Sequence, residues 1–447
     1  LRLPFFIVCL SYIIKETYKG MDNMKKAFVN GIILDGTRDM EPIKGKAIFV
    51  EDRKIVDISD KDTEGYEVID LKGKYIMPGL INLHVHLAGS GKPKKKQSDP
   101  VFLVKLVMMN RLSRAVGMKL VESYAKTQLM SGTTTVRTVG GVGNFDSKIR
   151  DMIERGEVAG PRIVASNMAV SVEDGHMAYS LAYVAHTPEE AVKWVDVIAK
   201  DKPDLIKLMI TGGVMDAEVV GEPGVLRMQP EIVKAACDRA HELGFKVAAH
   251  VESPQGVKVA LKNGVDSIEH GAMPDKEMID MFKENKSFFV TTISPALAYA
   301  LFDRDISHAT YEQQENGKIV LEGTIELAKE CLKEGIPIGL GTDTACPYVT
   351  QYDMWRELRL FVKHCGVDDR FALYSATLNN AVLAGVDDVT GSIEVGKEAD
   401  MIVTKNNPLE GVEALRNVDM VIKGGVVYDN PKVKKIPEVE RELDKFM

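Results

Sequence analysis

The fold of this chain is decided by the stretch MPGLINLHVHLAG, residues 77–89. Its apolar residues predict a buried strand, which runs into His84 and His86 and ends at a loop that contains glycine. Side chains at positions i and i+2 of a strand point to the same side, so these two imidazoles can meet at one metal ion. The pair alone is weak evidence, because most strand histidines are ordinary half-buried residues. The stronger evidence comes from the rest of the chain.

Residues 79–391 repeat one pattern, in which an apolar run is usually followed by an amphipathic helical segment. The apolar runs are residues 81–86, 133–141, 161–167, 205–213, 246–252, 267–272, 288–294 and 337–345. Strands that alternate with helices pair in parallel, and eight such units close into a (β/α)8 TIM barrel. The sequence therefore predicts an α/β protein whose barrel spans residues 79–391.

The two ends of the chain have a different pattern from the middle. Residues 24–78 and 392–430 contain short segments rich in valine and isoleucine, separated by glycine turns. This pattern is typical of antiparallel strands, so we expect one small β-sandwich-like domain built from both chain ends. The helical spacing of apolar residues in 431–447 predicts a C-terminal helix that docks on the surface or on a neighbouring subunit.

Residues 1–23 are expected to be an N-terminal extension that is not part of the fold. Residues 5–14 are apolar, which leaves secretion as an alternative, because such a run suits the h-region of a secretory signal. The run is too short for a membrane span, and no small-x-small cleavage site follows it. Met21 or Met24 is then the expected start of the functional protein.

The composition indicates a soluble globular protein, with 45% hydrophobic and 27% charged residues. The net charge of −8 gives no reason to expect a nucleic acid or an anionic membrane as partner. The five cysteines show no CxxC spacing. They predict reduced thiols in a cytoplasmic protein.

Polar residues interrupt the predicted strands near their C-terminal ends, where the chemistry of a barrel takes place. They are His84, His86, Lys207, His250, His270 and Asp343. Each has a structural alternative, since a strand histidine is usually a satisfied core residue and an aspartate can cap a loop. Lys207 is the hardest to explain in that way, because burying an unpaired ammonium is costly. Together these residues predict a metal site at one rim of the barrel.

These residues also carry a resemblance to a known family. HVH after PGL, the strand-four lysine followed by TGG, AHVES, SIEHG and GTDT together resemble the amidohydrolase superfamily, as does the segment NNAVLAGVDDVTGSIEVGKEADMIVTKNNPLE. The resemblance covers residues from about 26 to 430, and the ligand set is similar to that of the binuclear members. It implies that His84, His86 and Asp343 hold one divalent metal ion, His250 and His270 hold a second, and a carboxylated Lys207 bridges the two ions. Zinc suits these ligands best, although manganese or another divalent ion is an alternative.

The resemblance implies hydrolysis of an amide bond by a metal-bridging hydroxide, with Asp343 as general base and then general acid. The segments DLIKLMITGGVMD, GVDSIEHGA and ATLNN resemble the prolidase-like and Xaa-amino-acid carboxypeptidase-like members, which cleave dipeptides or N-acyl amino acids. A small-molecule or dipeptide substrate and a homo-oligomer are therefore expected. The alternatives are a cyclic amide hydrolase of the imidazolone or hydantoin type and a non-catalytic scaffold on the same fold.

Substrate contacts are predicted from the loops that follow the strands. His176 in SVEDGHMAYS is expected to contact the substrate, while Arg227 and Tyr348 are candidates to bind a substrate carboxylate. Each of the three can instead be a loop or surface residue without a role. The basic loop with Lys92, Lys94, Lys95 and Lys96 is either a solvated loop or a source of electrostatic attraction for an anionic substrate.

Glu252 is a departure from the family pattern. Relatives often read HAH at this point, whereas this chain reads His250-Val251-Glu252. Glu252 can face the same side as His250, as a carboxylate that supports the metal ligands or as a part of the specificity pocket. Mononuclear deaminases place a glutamate three residues after this histidine and lack the strand-four lysine, which argues against a deaminase.

Overall fold

The computed structural model describes residues 24–93 and 99–447. The predicted N-terminal extension and three lysines of the basic loop, Lys94, Lys95 and Lys96, lie outside these residues. In the described ranges, no helix combines the length and the apolar character that crossing a membrane requires.

The secondary structure follows the expected division into a barrel and a small β domain. The strands are β1 Lys25–Val29, β2 Ile32–Ile33, β3 Ala47–Glu51, β4 Lys54–Ser59, β5 Glu67–Asp70, β6 Tyr75–Pro78, β7 Leu80–Val85, β8 Thr133–Thr138, β9 Arg162–Val164, β10 Ala169–Ser171, β11 Ala182–Val184, β12 Leu205–Met209, β13 Lys246–Val251, β14 Ser267–His270, β15 Phe288–Thr291, β16 Ile338–Leu340, β17 Met401–Thr404, β18 Met420–Lys423 and β19 Val426–Asp429. The α-helices are α1 Pro100–Met108, α2 Arg111–Met130, α3 Phe145–Glu154, α4 Pro188–Ala199, α5 Pro230–Glu242, α6 Pro254–Lys262, α7 Lys276–Asn285, α8 Ile293–Leu301, α9 Arg304–Ser307, α10 Tyr311–Glu334, α11 Met354–Cys365, α12 Asp369–Tyr374, α13 Asn380–Ala384 and α14 Pro437–Leu443. Short 3-10 helices cover Val214–Asp216 and Val412–Arg416, and a π-helical turn covers Ser375–Asn379.

The small domain consists of two sheets with strand orders β4-β3-β1-β5 and β19-β18-β17-β6-β2. In the second sheet, β17 from the end of the chain pairs antiparallel with β6, so that Met401 lies opposite Pro78. Phe28 and Ile48 from the first sheet share one buried cluster with Met401 from the second. Because the two sheets bury a common core, the predicted β-sandwich-like domain from both chain ends is confirmed.

The barrel consists of two parallel sheets, β7-β8-β9 and β11-β10-β12-β13-β14-β15-β16. The last strand returns to the first, since the Asp343 amide just after β16 donates to the His84 carbonyl at 2.8 Å. A Cβ atom at Gly341 would lie only 2.5 Å from the Cβ atom of His84. Glycine therefore permits the close approach that brings the two ends of the barrel together.

Two strands of the barrel region are absent from the sequence prediction. β10 and β11 have three residues each and pair in parallel, so that Val170 lies opposite Tyr183. A segment of three residues is too short to show a period, and the sequence predicts only a loop there. The predicted third strand is correspondingly shorter than expected, since only Arg162–Val164 is extended.

Helix α10 shows how local sequence supports the site. Thr310 caps its first turn, because the Thr310 hydroxyl accepts from the Gln313 amide and the Gln313 side chain accepts in return from the Thr310 amide. The helix ends at Gly335, whose φ of +69° is the left-handed conformation that glycine adopts most easily. From its middle, the Thr324 hydroxyl donates to the His270 carbonyl at 2.8 Å. The helix thus fixes the end of a strand that carries a predicted ligand.

The C-terminal helix α14 packs on its own chain. Val439 and Leu443 are buried in the main core, and Arg356 of α11 donates to Asp444 at 2.8 Å. The expected helix is therefore present and docks on the barrel.

Candidate active site

All the predicted metal ligands line one cavity, which has room for only about 40 Å³ of water-sized contents. His84 and His86 lie at the end of β7, His250 and His270 at the ends of β13 and β14, and Asp343 follows β16. Lys207 lies within β12 and also faces this cavity. Since the strands are parallel, their C-terminal ends meet at one rim, which is where the sequence placed the chemistry.

Each of the four histidines uses one ring nitrogen for a contact with the protein. The contacts are His84 Nδ1 with Glu269 Oε2 at 2.8 Å, His86 Nδ1 with the Gly140 carbonyl at 2.7 Å, His250 Nε2 with the Gly212 carbonyl at 3.2 Å and His270 Nδ1 with Thr292 Oγ1 at 2.7 Å. One ring nitrogen is thus anchored in every case, and the second nitrogens of His84 and His86 face Asp343. This arrangement is common among metal-binding histidines.

Asp343 faces the free nitrogens of two of these histidines. Its Oδ1 lies 3.2 Å from His86 Nε2 and 3.5 Å from His84 Nε2. Burial alone would raise the pKa of Asp343, but the neighbouring His84 and the His86 contact outweigh it and hold the pKa well below its ordinary range. Its φ of +58° is unusual for a residue other than glycine. A strained backbone of this kind is often retained at functional sites.

Lys207 is the buried cation of the site. It is 1% exposed, and among the described residues its Nζ has no hydrogen-bond partner. Burial lowers the pKa of Lys207 to about 8, against the smaller opposing effect of the Glu269 carboxylate. The lowered pKa increases the neutral fraction of this amine relative to that of an exposed lysine.

The side chains form two groups that could each hold a metal ion. The first group is His84, His270 and Asp343, and the second is His250, Glu252 and His270. Within each group, one potential ligand atom from every residue lies within 4.8 Å of the others. Imidazole and carboxylate ligands of this kind suit zinc and other first-row divalent ions. The residues therefore fit a metal centre. The second group includes Glu252, for which the sequence left two roles open.

Glu252 also lines the cavity. From this position it can either support the metal ligands or form part of the specificity pocket. Its Oε2 accepts a hydrogen bond from the Val214 amide at 2.8 Å. Burial raises the pKa of Glu252 to about 8.

A buried ion pair behind the histidines is missing from the sequence analysis. Glu269 accepts from Arg137 at 2.7 Å with one carboxylate oxygen, while the other oxygen contacts His84. Arg137 also donates to the Leu83 carbonyl at 2.7 Å, next to His84 in the chain. The sequence carries a signal for this pair, since TTTVRT and SIEH place opposite charges inside two apolar strands.

His176 joins the cluster from the loop between β10 and β11. Its ring stacks on that of His250, with a centroid separation of 4.2 Å and an angle of 8° between the planes. His176 Nδ1 is hydrogen-bonded to Asp216, whose carboxylate also accepts from the Gly213 amide at 3.1 Å. Asp216 is a second functional candidate that the sequence did not reveal. Its carboxylate fixes the orientation of His176 at the cavity wall.

The other predicted substrate contacts lie outside this cavity. Arg227 is exposed, but its positive charge is near enough to lower the pKa of Asp216. Burial alone would raise the pKa of Asp216. The contact with His176 and the charge of Arg227 outweigh this effect and hold the pKa below its ordinary value. Tyr348 is 1% exposed, and its hydroxyl donates to the Ile306 carbonyl at 2.9 Å. Lys92, the described lysine of the basic loop, is exposed.

The remaining cavity wall is largely apolar. It includes Met177, Met209, Val214, Met215, Pro295 and Ala296. The last two belong to α8, whose first turn is capped by Glu357 through the Ile293 amide at 2.7 Å and the Ser294 amide at 3.0 Å. A metal site beside an apolar wall suits a substrate with a polar reacting group and a hydrophobic side chain.

The barrel fold and the ligand cluster at its rim define a candidate metal-dependent enzyme, and comparison with known families identifies its class as a hydrolase of carbon–nitrogen bonds. Residues 75–428 match the model of the Amidohydrolase family. The chain therefore belongs to this family, whose members typically use divalent metal ions. The membership expected from the motifs is confirmed, as is the TIM barrel.

Within the family, the chain is similar to prolidases and related amide hydrolases. It is 35% identical to a Bifidobacterium longum protein with a provisional prolidase assignment, whose crystal structure superimposes with a TM-score of 0.83 over 94% of this chain and 98% of the other. It is 30% identical to a Xaa-Pro dipeptidase with methionine bound in the active site, with a TM-score of 0.79 over 91% and 100% of the two chains. Ochratoxinase of Aspergillus niger is 25% identical over 443 residues, which cover 90% of this chain and 86% of that enzyme. The expected resemblance to prolidase-like members is confirmed.

Proposed function

We propose that this chain is a two-metal hydrolase that cleaves the amide bond of dipeptides or N-acyl amino acids. The observation that carries the proposal is Lys207, a buried lysine whose Nζ has no partner in the described chain. Its strand ends at the cavity that the four histidines and Asp343 also line. A carbamate on Lys207 would turn the unpaired cation into an anionic ligand for divalent ions, which would remove the burial problem.

The side chains that line the cavity are suited to hold two divalent metal ions. His84, His86 and Asp343 would hold the first ion, His250 and His270 the second, and the Lys207 carbamate would bridge them. Zinc suits this mixture of imidazole and carboxylate ligands. When bound, the ions supply a nucleophilic water at neutral pH and polarise the carbonyl of the scissile amide.

Asp343 is placed to move the proton during the reaction. Asp343 lines the cavity, and its carboxylate can accept a proton from the attacking water. It then delivers this proton to the amide nitrogen as the carbon–nitrogen bond breaks, so that the leaving amine departs neutral. Glu269 meanwhile keeps the proton of His84 on Nδ1 and leaves Nε2 for the metal ion.

The walls of the cavity support an amino-acid or acyl-amino-acid substrate. The methionines at 177, 209 and 215 offer an adaptable apolar surface for a side chain. His176 is held in place by Asp216 and is the proposed polar contact to the substrate, with Arg227 as a further positive charge near the same carboxylate. Tyr348 has no part in this proposal, because its hydroxyl is bound to the Ile306 carbonyl. The similarity to a Xaa-Pro dipeptidase and to ochratoxinase favours the same substrate class.

The test is a substrate screen with zinc-loaded protein, with chelated protein and a Lys207→Met variant as controls. The substrates are Xaa-Pro and other dipeptides, N-acyl amino acids and cyclic amides. We expect chelator-sensitive release of a free amino acid from the first two classes. A single ring-opened product from a cyclic amide, without release of amino acids, would contradict the proposal and favour a cyclic amide hydrolase.

A further inference from the structure

Glu252 is the carboxylate of the site that the expected ligand set leaves unused. It follows β13 directly and lies two residues after His250, so both side chains leave the chain on the same side. His250 is itself in the second of the two possible metal groups, together with His270. Glu252 therefore lies beside two of the predicted metal ligands.

The distances around Glu252 are close to those of a metal site. One carboxylate oxygen of Glu252 and one nitrogen from each of His250 and His270 lie within 4.8 Å of one another. Atoms that bind one tetrahedral ion at about 2.1 Å each lie about 3.4 Å from one another. The three ligand atoms would therefore have to close by at most about 1.4 Å to complete the site. A hydrogen bond from the Val214 amide to Oε2 holds the carboxylate in this place.

Gly213 supports the same arrangement from the loop after β12. A Cβ atom at this position would lie 3.2 Å from His250 Nε2 and 3.3 Å from Glu252 Oε2. The backbone of the loop thus packs against both side chains at once, and a larger residue would push against both of them.

Glu252 forms no ion pair with any lysine or arginine of residues 24–93 and 99–447. A half-buried carboxylate without a counter-ion can be stabilised by a cation from outside the chain.

We propose that Glu252 is a direct ligand of the second metal ion, together with His250 and His270. This inference rests on the metal centre of the proposed function but on no particular substrate. Two imidazoles and one carboxylate are a sufficient set for a divalent ion such as zinc. The second ion is then held by protein side chains even when Lys207 carries no carbamate.

The test measures metal binding rather than turnover. Metal-free wild type, Glu252→Gln and Glu218→Gln are titrated with zinc, with bound metal counted by mass spectrometry and cobalt absorption spectra recorded in parallel. Glu218 is an exposed glutamate of the adjacent loop, so its variant makes the same chemical change outside both metal groups. We expect Glu252→Gln to weaken the second zinc ion by at least about tenfold and to change the cobalt spectrum, while Glu218→Gln binds as wild type does. Circular dichroism of the metal-free variants checks that both remain folded.

The outcomes separate this inference from the proposed reaction. Binding of two zinc ions by Glu252→Gln with wild-type affinity would overturn the inference. Binding of two ions by wild type without any hydrolysis would refute the proposed reaction, while selective loss of one ion in Glu252→Gln would still support the ligand role. A wild type that binds no metal would overturn both.

Discussion

The ion pair behind His84 gives the most quantitative prediction. Glu269 is fully buried and accepts from Arg137 and from Ser267, both at 2.7 Å, while it lies 2.8 Å from His84 Nδ1. A Glu269→Gln substitution keeps the volume of the side chain but removes the charge that faces the guanidinium of Arg137. It therefore tests both the stability of the barrel and the orientation of a metal ligand.

The expected loss of stability follows from the burial of the pair. Removing one charge of a buried ion pair costs about 3–5 kcal/mol, because the remaining charge is left uncompensated. Since the glutamine carbonyl can still accept one hydrogen bond from Arg137, we expect the lower end, about 3 kcal/mol in the free energy of unfolding. His84 also loses its ionised acceptor, so the affinity for zinc should fall by about 10- to 100-fold.

The assay is urea unfolding of the metal-free proteins, followed by zinc titration of the folded variants. The matched control is Glu157→Gln, which breaks an ion pair with Arg155 whose side chains are 46% and 57% exposed. Such a pair contributes less than about 1 kcal/mol. If Glu269→Gln were no less stable than this control and bound zinc as wild type does, the role assigned to Glu269 would be wrong.

Four further predictions concern the reaction and its pH dependence. Asp343→Asn should keep bound metal but lose about 10²- to 10⁴-fold in kcat, because it cannot transfer the proton; full activity with metal bound would refute this role. Lys207 has a pKa of about 8 when folded against 10.5 as its ordinary value, so the unfolded chain binds more protons between these pH values. Metal-free wild type should thus gain about 3 kcal/mol relative to Lys207→Met as the pH rises from 8 to 10.5, and a constant difference in urea unfolding would contradict this. His176→Asn should raise KM about tenfold, the effect of one lost polar contact, with unchanged metal content; an unchanged KM would remove His176 from the site. The lysines of residues 92–96 should make kcat/KM for an anionic substrate fall with ionic strength, and a flat salt dependence would exclude such steering.

The sequence predicted the parts of the site that depend on strand order. Parallel strands place their C-terminal ends at one rim, so His84, His250 and Asp343 could be assigned to the same cavity without coordinates. The same rule does not tell how far a loop residue lies from that rim. For this reason strand order alone could not show which predicted substrate contact reaches the cavity. His176 does and stacks on His250, whereas Tyr348 lies outside the cavity with its hydroxyl bound to the Ile306 carbonyl.

Partners that come from distant parts of the chain were beyond the sequence analysis. Arg137 and Glu269 are 132 residues apart, and only the closed barrel brings their strands together. Asp216 ends a short 3-10 helix that follows β12, and its contact with His176 depends on how that segment packs against the loop between β10 and β11. Likewise the short strands β10 and β11 form by pairing with each other and with β12, not through a pattern in their own residues.

Metal ions held by the histidine cluster are what would make this chain an amide hydrolase. The most direct test is to titrate metal-free protein with zinc in the presence of bicarbonate, while bound metal and hydrolysis of a dipeptide are measured in the same samples. The account predicts no hydrolysis without metal and a rate that rises until two ions are bound per chain. Hydrolysis that persists in the metal-free protein, or a protein that binds no zinc, would contradict it.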